Sequence, residues 1–134
     1  MAHYMHNDVL DAALNYIADN GNKLALCSGL PATYSELSGS LMLAITNMVT
    51  GAGGGGSRYG ACVDHSGGGR SMTPVAQSAV TVSVSGTGTH LAIGDSANSK
   101  VLHVEDIADV AVTTGRTTNL TCGKIIIADP ITTV

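Results

Sequence analysis

Apolar residues alternate with small polar ones along the second half of the chain, from Pro74 to Pro130. Val80, Val82 and Val84 are separated by threonine and serine, and this period of two predicts a strand with one face on a core. The same pattern, interrupted by turn residues, predicts about five antiparallel strands in this stretch. The later strands are expected at Thr89–Gly94, Lys100–Val104, Thr117–Cys122 and Lys124–Ala128.

Turn residues mark where the predicted strands end. Ser85–Gly88 (SGTG) is expected to end the first strand, and Thr114–Arg116 to form a later turn. Asp95–Ser99 is a polar connection that predicts two antiparallel strands joined by a loop of medium length. Leu91 and Ile93 are expected on the buried face of the strand that precedes this loop.

Residues 1–21 contain the one convincing helix. Asn7 is predicted as its N-cap, and Asp8 lies in the first turn, where the helix dipole favours an acid. Asn20-Gly21 is a C-terminal stop signal. An apolar stripe with helical spacing is expected to dock on the sheet or on a neighbouring subunit. It comprises Leu10, Ala13, Leu14 and Ile17.

The segment between the helix and the sheet is less regular. Lys23–Ser28 predicts a strand, and Leu41–Val49 is assigned to a strand rather than a helix because of its β-branched residues. Ala32–Ser38 is expected to be a loop that includes at most a helical turn. Gly51–Gly69 is expected to be a glycine-rich loop region, which is either a flexible surface loop or a place where backbones pack very closely. Within it, Tyr59–Asp64 is allowed one short strand.

The predicted fold is therefore mainly β, an antiparallel sandwich or barrel-like sheet with one N-terminal α-helix. A chain of 134 residues fits a single domain, residues 1–134. It has no Trp and no Phe, and only 12% of its residues are charged. Small neutral side chains must then cover much of the surface, which favours an obligate oligomer or a part of an assembly. A compact monomer with the same surface is the alternative.

Charge and hydropathy exclude several classes of function. The formal net charge is −4, and the six Lys and Arg residues are scattered along the chain. Nucleic-acid binding is not expected, since phosphate neutralisation needs clustered cations. No apolar run approaches the roughly 20 residues of a membrane span, and no secretion signal is expected at the N-terminus.

Short motifs in the chain predict no enzyme. Gly51, Gly53 and Gly56 fit the spacing of a dinucleotide-binding loop, but the residues that follow do not favour the helix which that site requires. Asp64-His65-Ser66 contains the residue types of a hydrolase triad, but sequence neighbours cannot adopt the triad geometry. We therefore expect no catalytic residues and no cofactor.

Histidines and cysteines give no metal-binding spacing. His3 and His6 could share a helix face, but two imidazoles rarely hold a structural metal. His90 and His103 fall within predicted strands and are interpreted as hydrogen-bonded surface residues rather than ligands. The spacing of the three cysteines matches no zinc pattern. No metal site is therefore expected.

The cysteines leave two interpretations open. They are buried thiols within strands, or they form an interchain disulfide within an assembly. For the second interpretation Cys62 is the first candidate, because glycine-rich segments flank it on both sides. Cys122, near a strand end, is the second candidate. Cys27 lies in an apolar run and is expected to be buried and reduced.

Two segments resemble a known group of proteins. The N-terminal MAHYMHNDVLDAALNYIADN is similar to the opening of small structural proteins of tailed bacteriophages. So is the pairing of SGTGTHLAIGDSANSKVLHV with VTTGRTTNLTCGKIIIADP. The glycine-rich middle, Gly51–Gly69, departs from that group. The resemblance implies a virion component, made in the host cytoplasm, and it carries over no active-site residues.

The expected function is a structural component of a tailed-phage particle, a capsid decoration or cement protein that stabilises the shell. Its expected partners are its own copies, with a trimer favoured, and the major capsid protein. A head–tail or tail-associated virion protein is one alternative. A β-sandwich module that binds a host surface or a carbohydrate is the other, although few tyrosines are available for stacking on sugars.

Overall fold

The structure is a computed structural model, which describes residues 5–51 and 59–128 of the chain. His3, Gly53, Gly56 and the terminal Asp129-Pro130 stop signal, all considered above, lie outside the described residues.

Helix α1 spans Asn7–Asn20, and its N-cap is His6 rather than the expected Asn7. The Nδ1 atom of His6 accepts a hydrogen bond from the backbone N–H of Asp8 at 3.1 Å, so an imidazole takes the usual place of a short polar side chain. At its other end, the N–H of Gly21 donates to the carbonyl of Ile17, as the stop signal predicts.

The buried face of α1 differs from the expected one by a single residue. Leu10, Leu14 and Ala18 are buried, and Ile17 packs partly against the core. Ala13 is exposed, so its assignment to the docking stripe was wrong. With about 100° between successive residues, Ala13 falls outside the arc of the helix that the other four side chains occupy.

Nine strands follow within the described residues. A π-helical turn, Glu36–Ser40, lies between the first two strands, where only a loop with a helical turn was expected. In chain order, β1 to β9 span Lys23–Cys27, Met42–Asn47, Val63–Asp64, Arg70–Met72, Gln77–Thr81, Gly86–Asp95, Lys100–Val112, Thr117–Leu120 and Ile125–Ile127.

The strands form three antiparallel sheets. The largest has the order β2-β1-β6-β7, a second has the order β3-β4-β9, and β5 pairs with β8. A backbone bridge between Ala44 and Val82 places the end of the β5 segment on the outer edge of β2. The chain is thus mainly β, with antiparallel sheets and one N-terminal helix, and the described sheets do not close into a barrel.

Strands β6 and β7 are longer than the alternating pattern predicts. Gly86–Gly88, expected as a turn, belongs to β6, and β7 continues to Val112 rather than ending at Val104. A Cβ atom at Gly88 would lie only 2.5 Å from Cδ1 of Leu26, so this glycine allows β6 to cross closely over a core side chain. The glycines therefore serve packing here and not chain reversal.

The core lies between the largest sheet, α1 and the two smaller sheets. Leu91 and Ile93 are buried as expected, and so are Val80 and Val82, whereas Val84 is 48% exposed. Val84 departs from the alternation because it lies beyond β5, where its N–H donates to the carbonyl of Leu43 instead of continuing a strand.

The prediction of a loop over Gly51–Gly69 is wrong for its second half, from Tyr59 onward. Residues 52–58 lie outside the described residues, but Tyr59 is fully buried and its hydroxyl donates to the carbonyl of Gly21 at 2.6 Å. Beyond it, β3 and β4 form a hairpin whose turn uses Gly68 and Gly69 at positive φ. Glycine adopts this backbone region without a steric cost, so the glycines here build a tight turn.

Candidate functional site

Three side chains that bind metals in other proteins come together at the edge of the core. His103 and Glu105 lie two residues apart on β7, directly opposite the buried Ile93 and Leu91 of β6. Residues directly opposite in an antiparallel pair share a face of the sheet, so both polar side chains lie on the core side of an edge strand. Cys122 follows β8, and one ligand atom from each of the three side chains lies within 4.8 Å of the others.

Glu105 is the centre of this cluster. The backbone N–H of Gly123 donates to both carboxylate oxygens, at 2.8 and 2.9 Å. The thiol of Cys122 donates to Oε2 at 3.2 Å. A Cβ atom at residue 123 would lie 3.1 Å from Oε1, so glycine lets the backbone approach the carboxylate. These bonds fasten the segment between β8 and β9 to β7.

Electrostatics make Cys122 a poor nucleophile in this arrangement. Burial raises the pKa of its thiol, and the hydrogen bond to Glu105 and the charge of that carboxylate raise it further. A protonated thiol neither attacks a substrate nor oxidises readily.

His103 is a neutral imidazole near pH 7. Burial lowers its pKa, and the nearby Glu105 carboxylate opposes that shift. The ring has no hydrogen-bond partner among the residues that the structure describes. A neutral imidazole can donate a nitrogen lone pair to a metal ion. His103, Glu105 and Cys122 are thus the side chains that could hold a metal within the described part of the chain.

This cluster was not expected from the sequence. The pattern His103-Val104-Glu105 within a strand indicates two side chains on one face, and that signal was available. The third member, Cys122, lies 17 residues beyond Glu105. Its position depends on how the connection between β8 and β9 folds back, which local patterns do not specify.

The structure separates the three cysteines, which are all free thiols. Cys27 is fully buried, as predicted, and burial raises its pKa to about 11. Cys62 is partly exposed, and its thiol donates to Oδ1 of Asn15 on α1 at 3.4 Å. Cys122 is only 3% exposed, so its ranking as an accessible crosslinking residue is corrected: it faces Glu105 and not solvent.

Asp64 and His65, two of the three neighbouring residues whose types match a hydrolase triad, have structural positions in the β3–β4 hairpin. Asp64 pairs with Arg70, whose Nη1 donates to its carboxylate at 2.6 Å. His65 occupies the turn between β3 and β4. Arg70 also bonds to Asp11 on α1 and to the carbonyl of Cys62, so this network fastens the helix to the β3–β4 hairpin.

A small open cavity lies beside the irregular part of β7. The regular pairing of β6 with β7 is interrupted between Gly88 and His90, where β7 contains extra residues. The cavity of about 270 Å³ opens there, and its lining is mainly apolar. It is bounded by Leu26, Leu91, Ile107, Ala108, Val110, Thr118, Asn119, Leu120 and Thr121.

Large apolar side chains remain exposed on several elements. Two of them, Val63 and Ile126, lie on either side of Ser71 in the register of the β3-β4-β9 sheet. They are 51% and 45% exposed and point away from the core-facing side, which carries the buried Met72 and Ile125. The others are Met5, Val9, Tyr16, Leu30, Val49, Val75, Val84 and Val110.

Comparisons with protein-family models, with curated proteins and with solved structures find no match to this chain. In the described ranges, the helices are too short or too polar to cross a membrane.

Proposed function

We propose that the chain is a structural component of a tailed-phage particle, a capsid decoration or cement protein that associates with its own copies and with the major capsid protein. The observation that carries this proposal is the exposed apolar pair Val63 and Ile126 on the outer face of the β3-β4-β9 sheet. The resemblance of both ends of the chain to small virion proteins gives the class of assembly.

The outer face of this sheet suits a protein–protein contact. Val63 and Ile126 are separated by one strand, a distance of about 10 Å. Ser71 between them is only 1% exposed, so the exposed surface in this row comes from the two apolar side chains that flank it. Apolar side chains at the centre of a contact contribute most when a partner removes them from water.

The outer edge of β7, unpaired among the strands that the structure describes, suits such a contact less well. Glu105 points toward the core from this strand, and the pairing with β6 is irregular between Asp106 and Val110. Inward charges and bulges are features by which edge strands avoid pairing with other chains. A contact through the outer face of the small sheet is therefore favoured over strand addition at β7.

A low surface charge supports close lateral packing of copies. Only 12% of the chain is charged, so neighbouring copies bring few like charges together. In a closed ring of copies, a trimer being favoured, the outer face of each subunit would meet a different surface on the next. A head–tail or tail position would use the same contacts in fewer copies.

Sugar recognition receives less support. Stacking on a sugar ring needs an exposed aromatic face, and in the described residues Tyr59 is buried and Tyr34 is partly buried. Tyr16, on α1, is 47% exposed. Among the tyrosines that the structure describes, Tyr16 is thus the one exposed ring, and one ring on a helix does not form the platform of a carbohydrate-binding module.

Sedimentation velocity tests the contact surface directly. The purified chain is expected to sediment as a closed oligomer, and the double variant Val63→Thr/Ile126→Thr as a folded monomer with an unchanged far-ultraviolet circular dichroism spectrum. Threonine keeps the β-branched shape while adding a hydroxyl. The matched control is Val49→Thr, at another exposed valine, which should leave the oligomer intact. An oligomer that survives the double substitution would contradict the proposed surface.

A further inference from the structure

We propose that His103, Glu105 and Cys122 bind a Zn²⁺ ion that ties the edge strand β7 to the segment between β8 and β9. This inference is independent of the proposed function, since it concerns the core side of the largest sheet. Each residue supplies one ligand atom of a different kind: an imidazole nitrogen, a carboxylate oxygen and a thiolate sulfur.

The donor set favours zinc over the common hard cations. Zinc accepts cysteine sulfur, histidine nitrogen and carboxylate oxygen in a tetrahedral arrangement. Calcium and magnesium prefer shells made only of oxygen. The charges also balance, because a thiolate and a carboxylate offset the two positive charges of the ion. A neutral site is the least costly kind to place where Cys122 is buried and the other two ligands are half-buried.

The geometry needs only a small adjustment. In the structure the three ligand atoms lie within 4.8 Å of one another, and the Cys122 sulfur already lies 3.2 Å from Oε2 of Glu105. Zinc bonds of about 2.0–2.3 Å place tetrahedral ligand atoms roughly 3.3–3.8 Å apart. The largest separation, at most 4.8 Å, would have to shrink by about an ångström to close the site. The fourth position is left to water.

The surrounding backbone already orients the carboxylate. The N–H of Gly123 donates to both oxygens of Glu105, and one such bond can remain when the carboxylate binds an ion. Outer hydrogen bonds of this kind hold ligands of metal sites in place. His103 and Glu105 come from the same strand, so their relative position is fixed by the backbone pairing with β6.

A thiol–carboxylate hydrogen bond alone is the simpler reading of the cluster. It explains Cys122, Glu105 and Gly123, and an inward carboxylate also protects an edge strand. It does not explain His103, which faces the same side of the sheet with a ring that has no hydrogen-bond partner among the described residues. A metal ion uses all three side chains, including that imidazole.

Cobalt substitution distinguishes the two readings. The full chain is first treated with a chelator, dialysed and then titrated with Co²⁺. A thiolate-to-cobalt charge-transfer band and strong visible bands of a four-coordinate ion are expected, saturating at one ion per chain. Zinc should displace the cobalt and remove both bands. Absence of a charge-transfer band would overturn the proposal.

Variants assign the ligands. Cys122→Ser should abolish the charge-transfer band, and His103→Gln should weaken zinc binding at least tenfold by calorimetry. Cys62→Ser and His90→Gln are matched controls, which should keep the band and the affinity of the parent. A band that is lost in Cys62→Ser, or that persists in Cys122→Ser, would assign the ion elsewhere and contradict the site.

His103→Gln keeps the test decisive even if Cys122→Ser folds poorly. Cys122→Ser puts a more polar hydroxyl in place of a buried thiol, whereas His103 is only half-buried and unpaired within the described residues, so His103→Gln should fold normally. Zinc should raise the melting temperature of the parent and leave that of His103→Gln nearly unchanged, since a ligand stabilises only a chain that it binds. An equal rise in both would overturn the assignment of His103.

Discussion

Arg70 and Asp11 form an ion pair with two hydrogen bonds. The Nε atom of Arg70 donates to Oδ1 of Asp11 at 2.6 Å, and Nη2 donates to Oδ2 at 3.0 Å. The two side chains are only 15% and 23% exposed. Both carboxylates of the network, Asp11 and Asp64, raise the pKa of the Arg70 guanidinium, so it remains charged throughout the useful pH range. The pair fixes the angle at which α1 meets β4.

Replacement of Arg70 by lysine should lower the melting temperature by several degrees. A lysine ammonium keeps the charge but cannot form the paired bonds to Asp11 and also reach Asp64 and the carbonyl of Cys62. The matched control is Arg116→Lys, in an exposed turn, which should melt like the parent. Equal melting temperatures for the two variants would show that the network does not hold the helix.

Leu14→Asp tests the docking of α1. Leu14 is fully buried, so the variant places an unpaired carboxylate in the core and should lower the free energy of unfolding by roughly 3–5 kcal/mol. Ala13→Asp, one residue away on the exposed side, should cost less than about 1 kcal/mol. Denaturant unfolding measures both values. If Leu14→Asp is as stable as Ala13→Asp, the helix does not contribute its apolar face to the core.

Asp95 should make stability depend on acid pH. Its carboxylate accepts a side-chain hydrogen bond from Asn98 at 2.7 Å and backbone bonds from Ala97 and Asn98. These bonds lower its pKa below the ordinary 3.8, with the side chain of Asn98 as the largest cause. A group whose pKa is lower in the folded state stabilises the fold above its unfolded pKa. That contribution is lost as the pH falls from 3.8 to the lowered value.

Thermal melting as a function of pH checks this expectation. Asp95→Asn should melt lower than the parent at pH 7, and the difference should shrink on going below pH 3.8. Asp109→Asn, on an exposed position of β7, is the matched control and should follow the parent at every pH. A constant difference between Asp95→Asn and the parent would mean that the charge of Asp95 has no role in the β6–β7 turn.

Cys62 should form crosslinks between subunits in an oxidised assembly. It is the one partly exposed thiol in the chain, while Cys27 and Cys122 are buried. A disulfide needs Cα atoms within about 7 Å, so only chains held in an assembly can meet this condition. Gels of assembled protein without reductant should show larger bands that collapse on reduction and are missing in Cys62→Ser. Bands that persist in Cys62→Ser, or a single monomer band without reductant, would contradict this expectation.

Local patterns predicted the strands well where side chains alternate. The period of two located β6 and the inward direction of Leu91 and Ile93, because alternation reports directly which face is buried. A run of β-branched residues located β9, whereas the alternation of Val80, Val82 and Val84 overlaps only the end of β5. It failed at Gly86–Gly88, where the absence of side chains was interpreted as a turn. Those glycines serve a close contact with Leu26, and the sequence does not show which distant residue a glycine approaches.

The sequence also failed to predict strand β4, because its formation depends on residues that are distant in sequence. Arg70–Met72 is too short for a period to be read, and it becomes a strand because β3 and β9 pair with it on both sides. The cluster of His103, Glu105 and Cys122 was missed for the same reason. His103 and Glu105 share a face for local reasons, whereas Cys122 joins them through a tertiary contact. Residues distant in sequence must be placed before such a site can be predicted.

The copy number of the chain in purified phage particles tests the proposed function most directly. Quantitative mass spectrometry of particles, with the major capsid protein as the internal reference, gives this ratio. A decoration or cement protein is expected in a copy number close to that of the shell protein. A few copies per particle would contradict the decoration role and favour the head–tail or tail position, and absence from washed particles would contradict a virion role altogether.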